Sequence, residues 1–192
     1  MQLILASTSP YRKELLERLQ VPFECQAPNV DEDELKAKGL APQELAVQLA
    51  FLKAKAVAEN FPNAIVIGGD QVANLDGEIL GKPGSKEKAV DQLLKMQGKT
   101  HQLITAISIV HGKRVETFSN ITTLKMKAFT KEQLSYYVSQ DNPINCAGSY
   151  MLEKLGIALF DTIESSDHSA IQGIPLIELS KRLENFGLSI FE

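Results

Sequence analysis

Apolar residues recur along the chain with two different spacings, which predict where the strands and the helices lie. Near-continuous apolar runs are typical of strands that are buried on both faces. An apolar position every three or four residues is typical of a helix packed along one side. We predict strands over 2–6, 22–27, 64–73, 101–110 and 114–127, and helices over 10–19, 42–60, 85–96, 130–140 and 175–186. This alternation predicts a mixed α/β fold with helices flanking the sheet.

The segment Ser7–Arg12, which follows the first predicted strand, has the composition of an anion-binding helix start. Ser9 is a good N-cap and Pro10 a good first helical residue. The loop would present backbone N–H groups, hydroxyls and the Arg12 guanidinium where the helix dipole favours an anion. A simple capped turn has the same composition, so both interpretations stay open.

Two charged residues interrupt segments that are otherwise predicted to be buried. At about 100° per residue, Lys53 falls inside the apolar arc of the helix over 42–60, so it must either reach solvent or meet an anion. Asp70 follows Gly68-Gly69 in the apolar run 64–73, where glycines would permit a bulge or the close approach of a ligand. A carboxylate there is costly unless it binds a metal or a cation, so Asp70 is a candidate functional residue.

The candidate residues combine cations, carboxylates and hydroxyls, a set suited to polyphosphate chemistry. They are Arg12, Lys53 and Lys82; Asp31, Glu32 and Asp70; and the hydroxyl loop from Ser7 to Ser9. Hard oxygen ligands suit Mg²⁺ or Mn²⁺, which bind one or two carboxylates together with substrate phosphates. Neither a Walker A motif nor a kinase glycine-rich loop is present in the sequence. Because nothing in the sequence identifies a second acceptor, the set favours hydrolysis of a polyphosphate over transfer of a phosphoryl group.

Length and composition narrow the class of protein. The 192 residues fit one domain, and 44% hydrophobic residues are enough for a core. A net charge of −4 gives no general attraction for nucleic acid polymers. No apolar run is long enough for a membrane span, and the N-terminus lacks the pattern of a signal peptide. Cys25 and Cys146 fit no metal-binding spacing. Two thiols without an export signal suggest a reducing compartment, so we expect a cytoplasmic protein.

A series of short motifs stands in the order found in the Maf family of nucleotide pyrophosphatases, which the chain resembles over nearly its whole length. The motifs are Ser7-Thr-Ser-Pro-Tyr-Arg12, Val30-Asp-Glu32, Leu49-Ala-x-x-Lys53-Ala54, Gly69-Asp-Gln-Val72, Gly81-Lys-Pro83, Ala147-Gly-Ser-Tyr150 and Gly173-Ile-Pro-Leu176. The resemblance implies a single domain over 1–192, with an elongated mixed sheet as in inosine triphosphate pyrophosphatases. It also implies an active-site cleft between two lobes.

The resemblance also implies an activity and a set of site residues. Family members cleave a nucleoside triphosphate to the monophosphate and pyrophosphate with a divalent cation, Mg²⁺, Mn²⁺ or Co²⁺, and act as homodimers. Carried onto this chain, Asp70 would accept a proton from water, and Glu32 and Asp70 would be the metal-linked carboxylates. The phosphate contacts would be Ser7, Arg12, Lys53 and Lys82. By the same resemblance, Glu32, Lys53 and Lys82 would be catalytic residues together with Asp70.

Positions 11, 71 and 153 bear on which base is recognised. Family members that act on dTTP and UTP have Arg, Thr and Gln there, whereas Tyr11, Gln71 and Glu153 resemble the subfamily associated with 7-methyl-GTP. A methylated guanine carries a positive charge that an aromatic face attracts. A carboxylate at 153 would accept hydrogen bonds from its N–H donors and would repel a pyrimidine carbonyl. The plainer alternative is that Tyr11 packs on the core and Glu153 is a solvated surface residue.

Three other functions are compatible with parts of this pattern. The first is a dTTP and UTP pyrophosphatase of the same family, which Tyr11 and Glu153 disfavour. The second is a nucleotide-binding regulator of septum formation, which would not need a base such as Asp70. The third is an adaptor domain, in which the cations would have no role. We expect the His101 side chain to form a hydrogen bond to backbone. His168 is a candidate for a residue near the cleft.

Overall fold

The computed structural model describes residues 1–191 and shows the mixed α/β fold that the sequence predicts. Its strands are β1 Leu3–Ala6, β2 Glu24–Cys25, β3 Ile65–Leu75, β4 Glu78–Leu80, β5 Thr100–His111, β6 Arg114–Met126 and β7 Phe160–Glu164. Its α-helices are α1 Pro10–Glu17, α2 Asp33–Lys36, α3 Pro42–Ala58, α4 Lys86–Met96, α5 Lys131–Asp141 and α6 Leu176–Asn185. Short 3₁₀ helices cover Ala147–Ser149, Leu155–Leu159 and His168–Gln172. No helix within 1–191 is both long enough and apolar enough to cross a membrane.

The longer elements lie close to their predicted positions, and the shortest ones were not predicted. The strand expected over 22–27 contains only the two exposed residues of β2. The strands β4 and β7 and the helix α2 were missed, because three to five residues are too few to establish a hydrophobic period. The strands β5 and β6 are neighbours in the sheet and are joined by two residues, so they form a hairpin.

The strands form one open sheet whose order within the described residues is β2-β1-β3-β5-β6-β7, with β4 paired to β3. The strand β1 runs parallel to β2 and to β3, whereas β4 and β7 pair antiparallel with β3 and β6. Ala6, the last residue of β1, pairs with Gly68. The loop that leaves β1 therefore begins beside Gly69 and Asp70.

Alternate residues of β1 and β3 pack on opposite faces of this sheet. Leu5 and Ile67 lie in a core cluster with residues of α1 and α6, whereas Ile4 and Val66 lie in a second cluster with residues of α3. Successive side chains of a strand point to opposite faces, and both faces are covered here. This double burial explains the near-continuous apolar run of β3.

The chain divides into two compact units. The first unit contains residues 1–71, 105–120 and the C-terminal stretch from Asp167, and the second contains 72–104 and 121–166. The residues of β3, β5 and β6 are divided between the two units. All the hydrogen bonds and ion pairs described below for residues 7 to 71 lie within the first unit.

Candidate functional site

The loop between β1 and α1 has the capped geometry that the sequence predicts. The Ser9 hydroxyl accepts a hydrogen bond from the backbone N–H of Arg12 at 3.5 Å, and Pro10 is the first helical residue. The buried Ser7 hydroxyl accepts one from the backbone N–H of Ser9 at 3.1 Å. Within residues 1–191 the Ser7 hydroxyl donates to no acceptor. Its proton therefore remains available to a bound anion.

Arg12 lies against the backbone of two glycines, Gly69 and Gly173. Its Nε–H donates to the Gly173 carbonyl at 3.2 Å. A Cβ on Gly173 would lie 3.3 Å from the Arg12 Cγ and Nε, and a Cβ on Gly69 would lie 3.4 Å from that Nε. The terminal nitrogens of Arg12 have no hydrogen-bond or ion-pair partner among the described residues. They are free to bind an anion through two N–H groups.

Lys53 meets two carboxylates instead of reaching solvent. Its ammonium lies 2.7 Å from the Asp70 Oδ1 and 2.7 Å from the Glu32 Oε1. Its side chain is only 11% exposed, so it does not extend to solvent, and the Asp70 side chain is equally buried. The structure thus brings together Glu32, Lys53 and Asp70, from three separate sequence motifs.

Successive side chains of β3 point to opposite faces of the sheet, which explains why residues 68–71 contact different partners. Gly68 and Asp70 face α3, which carries Lys53, whereas Gly69 and Gln71 face the side of α1 and α6. A Cβ on Gly68 would lie 2.4 Å from backbone atoms of α3. Gly68 is therefore required for the contact between strand and helix, whereas the sequence analysis attributed it to a bulge or a ligand.

The surroundings shift the pKa values of the charged groups in different directions. Burial raises the pKa of Asp70, although Lys53 and Arg12 partly offset this effect by stabilising the carboxylate. Burial also raises the pKa of Glu32, but hydrogen bonds from Lys36 and Lys53 outweigh it and lower that pKa to about 2. Burial lowers the pKa of Arg12, and the charges of Asp70 and Glu32 oppose that shift.

Lys36 is a further member of this cluster, and the sequence analysis did not identify it. Its ammonium lies 2.8 Å from the second carboxylate oxygen of Glu32, one helical turn away. The spacing between the two residues was a usable signal, but it has meaning only on a helix. Because α2 was not predicted, the pair was missed. Asp31 accepts a hydrogen bond from the backbone N–H of Asp33 at 3.0 Å, so it stabilises the start of α2.

The side-chain amide of Gln71 has a fixed orientation. Its Nε2 donates to the Thr105 hydroxyl at 2.8 Å and to the carbonyls of Ala170 and Ile171 at 3.0 and 3.1 Å. The Thr105 hydroxyl itself donates to the Ala170 carbonyl at 2.8 Å, so it can only accept from Gln71. Because carbonyls cannot donate, the nitrogen must face this segment, and the Gln71 Oε1 is an acceptor to which none of the residues 1–191 donates.

The remaining predicted residues are not part of these contacts. Tyr11 is half-buried in α1 of the first unit. Lys82 and Glu153 belong to the second unit, and both are exposed. His168 is exposed at the start of a 3₁₀ helix.

The prediction for His101 was wrong, because its imidazole forms no hydrogen bond to the backbone of a described residue. It is buried in the second unit, and its Nε2 lies 3.0 Å from the Tyr150 hydroxyl. Its Nδ1 is buried and has no hydrogen-bond partner in the described part of the chain, and burial lowers the pKa of His101 to about 4. Nothing in the local sequence around His101 indicates that it would pair with a tyrosine 49 residues away.

Comparison with known families agrees with the motif order. The family model described as Maf-like protein matches residues 2–186 of this chain. The chain belongs to the Maf family. The 7-methyl-GTP pyrophosphatase of Bdellovibrio bacteriovorus is 54% identical to it over 97% of this chain and 98% of its own length. The protein of the same name from Polaromonas is 44% identical over 98% of this chain and 86% of its own length.

The match to one solved structure is weak. The Staphylococcus aureus Ham1 protein matches with a TM-score of 0.48 at 19% identity, over 66% of this chain and 72% of that one. The assignment to the Maf family therefore depends on the sequence comparisons alone.

Proposed function

We propose that this Maf-family protein hydrolyses 7-methyl-GTP to 7-methyl-GMP and pyrophosphate. The observation that carries the proposal is the buried Asp70, paired with Lys53 at 2.7 Å, beside Arg12, whose terminal nitrogens pair with no residue among 1–191. Recognition of a ligand does not by itself require a buried carboxylate that can accept a proton. The names of relatives with 44 to 54% identity support the choice of nucleotide.

Glu32 and Asp70 are suited to hold a divalent cation together. One oxygen of each lies 2.7 Å from the Lys53 nitrogen, so the two carboxylates lie close together around this ammonium, and a divalent cation would bind beside it. Among residues 1–191 no group of three or more His, Cys, Asp or Glu side chains could hold a metal. An ion held by Glu32 and Asp70 would need phosphate and water oxygens as its other ligands, which is typical of Mg²⁺. When bound, Mg²⁺, Mn²⁺ or Co²⁺ would neutralise charge on the phosphates.

The chain's own residues would move a proton and hold the triphosphate. Asp70 accepts a proton from the attacking water, whose oxygen bonds to phosphorus while the bond to pyrophosphate breaks. The raised pKa of Asp70 makes it a better proton acceptor than an exposed aspartate, and Lys53 keeps its carboxylate in place. The Arg12 guanidinium and the Ser7 hydroxyl bind phosphate oxygens, as does Lys82 by resemblance to the family.

Tyr11, Gln71 and Glu153 would select the base. The Gln71 Oε1 is an acceptor only, which suits a base that presents N–H donors. Glu153 adds a negatively charged acceptor for the same kind of base. The aromatic face of Tyr11 attracts the positive charge of methylated guanine by about 0.5–2 kcal/mol. Together these residues favour 7-methylguanine over thymine or uracil.

The association state is proposed from the family resemblance, the domain organisation from the length and the resemblance, and the location from the cysteines and the missing export signal. We expect a homodimer, which size-exclusion chromatography with light scattering would test. We also expect residues 1–192 to act as a single domain, so the purified protein should unfold in one transition. The expected partner in the cytoplasm is a small nucleotide, because the net charge of −4 does not favour nucleic acid polymers.

The test is pyrophosphate release with Mg²⁺ or Mn²⁺ from 7-methyl-GTP, GTP, dTTP, UTP and CTP, by the wild-type protein and by Asp70→Asn. We expect 7-methyl-GTP to be preferred and the variant to lose at least about a hundredfold in rate. A preference for pyrimidine nucleotides would support the proposed pyrophosphatase activity but overturn the proposed selection of 7-methylguanine. Nucleotide binding without turnover, unchanged in the variant, would instead support a nucleotide-binding regulator.

A further inference from the structure

Arg12 and Gln71 are held by the same short segment of backbone. This segment is residues 168–173, which we call the anchor turn. The Arg12 Nε–H donates to its last carbonyl, that of Gly173, at 3.2 Å. The Gln71 amide donates to two other carbonyls of the turn at 3.0 and 3.1 Å. The position of the anchor turn therefore determines where both side chains lie.

The buried carboxylate of Asp167 ties the anchor turn to the start of α6. Its Oδ1 accepts hydrogen bonds from the backbone N–H of Ser169, at 3.0 Å, and from the Ser169 hydroxyl. Its Oδ2 accepts from the backbone N–H of Ile177 in α6 at 2.7 Å. The Ser169 hydroxyl in turn accepts from the backbone N–H of Leu176 at 2.8 Å. Asp167 is only 4% exposed, so these bonds are shielded from water.

We propose that Asp167 is a positioning residue, which sets Arg12 and Gln71 in place through the anchor turn. The proposal rests on the function proposed above, in which Arg12 binds phosphate and Gln71 contributes to base selection. Each carboxylate oxygen of Asp167 accepts from a donor, so an asparagine would turn its NH₂ group toward one of them. One change at a residue that touches no substrate would then alter phosphate affinity and base selection together.

The test compares Asp167→Asn with Thr130→Ala in steady-state kinetics on 7-methyl-GTP and UTP. Thr130 forms the capping box of α5 in the second unit, so its loss destabilises a helix start without touching the anchor turn. We expect Asp167→Asn to raise KM and lower kcat/KM for 7-methyl-GTP about tenfold or more. The ratio of kcat/KM for 7-methyl-GTP to kcat/KM for UTP should also fall. Thr130→Ala should lower the melting temperature but keep KM and the preference.

Ser169 offers a second pair of variants in case Asp167→Asn does not fold. Ser169→Thr retains the hydroxyl and should keep both kinetic quantities, whereas Ser169→Ala should change both in the direction expected for Asp167→Asn. The proposal is overturned if these variants lose only thermal stability, as Thr130→Ala does. Absence of turnover by the wild-type protein would overturn the proposed function instead. Nucleotide affinities of the same variants would then decide the positioning role.

Discussion

Lys53 shows how one buried charge depends on its partners. It lies among the apolar positions of α3, where an unpaired ammonium would be costly. Two carboxylates compensate this cost at 2.7 Å each, so removing the lysine would leave negative charge without a counterion. The helical period located this residue correctly, but its partners became known only from the structure.

We expect Lys53→Met to destabilise the protein by about 3 kcal/mol, because breaking a buried ion pair leaves an uncompensated charge. Adding Asp70→Asn should recover about half of this loss or more, since the uncompensated buried charge is then removed. Nucleotide hydrolysis should be lost in both variants. Urea unfolding at neutral pH measures the stability, and pyrophosphate release measures the activity.

Lys55→Met is the matched control for this prediction. Lys55 is exposed on the same helix, so its substitution should change the free energy of unfolding by less than about 0.5 kcal/mol. If Lys53→Met is as mild as this control, the pairing seen in the structure contributes nothing to stability.

At the level of elements, the contact between α3 and β3 determines where the charged cluster forms. Gly68 lets the two backbones approach so closely that an added Cβ would lie 2.4 Å from the Ala50 carbonyl oxygen and the Ala54 nitrogen. Lys53 lies next to Ala54 on α3, and Asp70 lies two residues after Gly68 on β3. The same close approach therefore packs the core and brings the two charges together.

Gly68→Ala should force α3 away from β3, at a cost of about 1–3 kcal/mol or more. Because Lys53 would move with the helix, the rate of hydrolysis should fall as well. Gly81→Ala is the control for stability, because no atom of the described residues lies within 4 Å of a Cβ there. Thermal unfolding of both variants measures the difference. Equal decreases in the melting temperature would contradict the prediction.

At the scale of the whole molecule, His101 links stability to pH. Its ring is buried between Tyr150 and Phe160, with centroid distances of 5.5 and 5.9 Å, and burial lowers its pKa to about 4. The unfolded chain binds this proton near pH 6.5, whereas the folded chain does not until about pH 4. Stability from the neutral ring is therefore present above pH 6.5 and is lost progressively as the pH falls toward 4.

We expect this linkage to remove about 3 kcal/mol between pH 7 and pH 4. Chemical unfolding at a series of pH values, for the wild-type protein and for His101→Gln, isolates the contribution of this residue. The variant should be less stable at pH 7 but should lose less stability on acidification. Parallel curves for the two proteins would contradict the assignment of this loss to His101.

Features that depend on neighbouring residues could be predicted from the sequence. The period of apolar positions predicted the long strands and helices, because burial on one or both faces leaves a repeating pattern. The N-cap at Ser9 and the buried setting of Lys53 and Asp70 also followed from short segments. The motif order indicated the Maf family, which the comparisons confirmed.

Only the tertiary structure decided which residues meet. Lys53 pairs with Glu32 and Asp70, and Gln71 bonds to a turn about 100 residues further along the chain. Such contacts depend on strand register and helix packing, which no local pattern encodes. The roles of Gly68 and Asp167 also became visible only there, because a close backbone approach and a shared buried carboxylate are properties of packed elements. The sequence by itself determined the longer elements, the family and most of the charged candidates, because these leave a signal in neighbouring residues. The short elements and the partners of the charged residues required the fold.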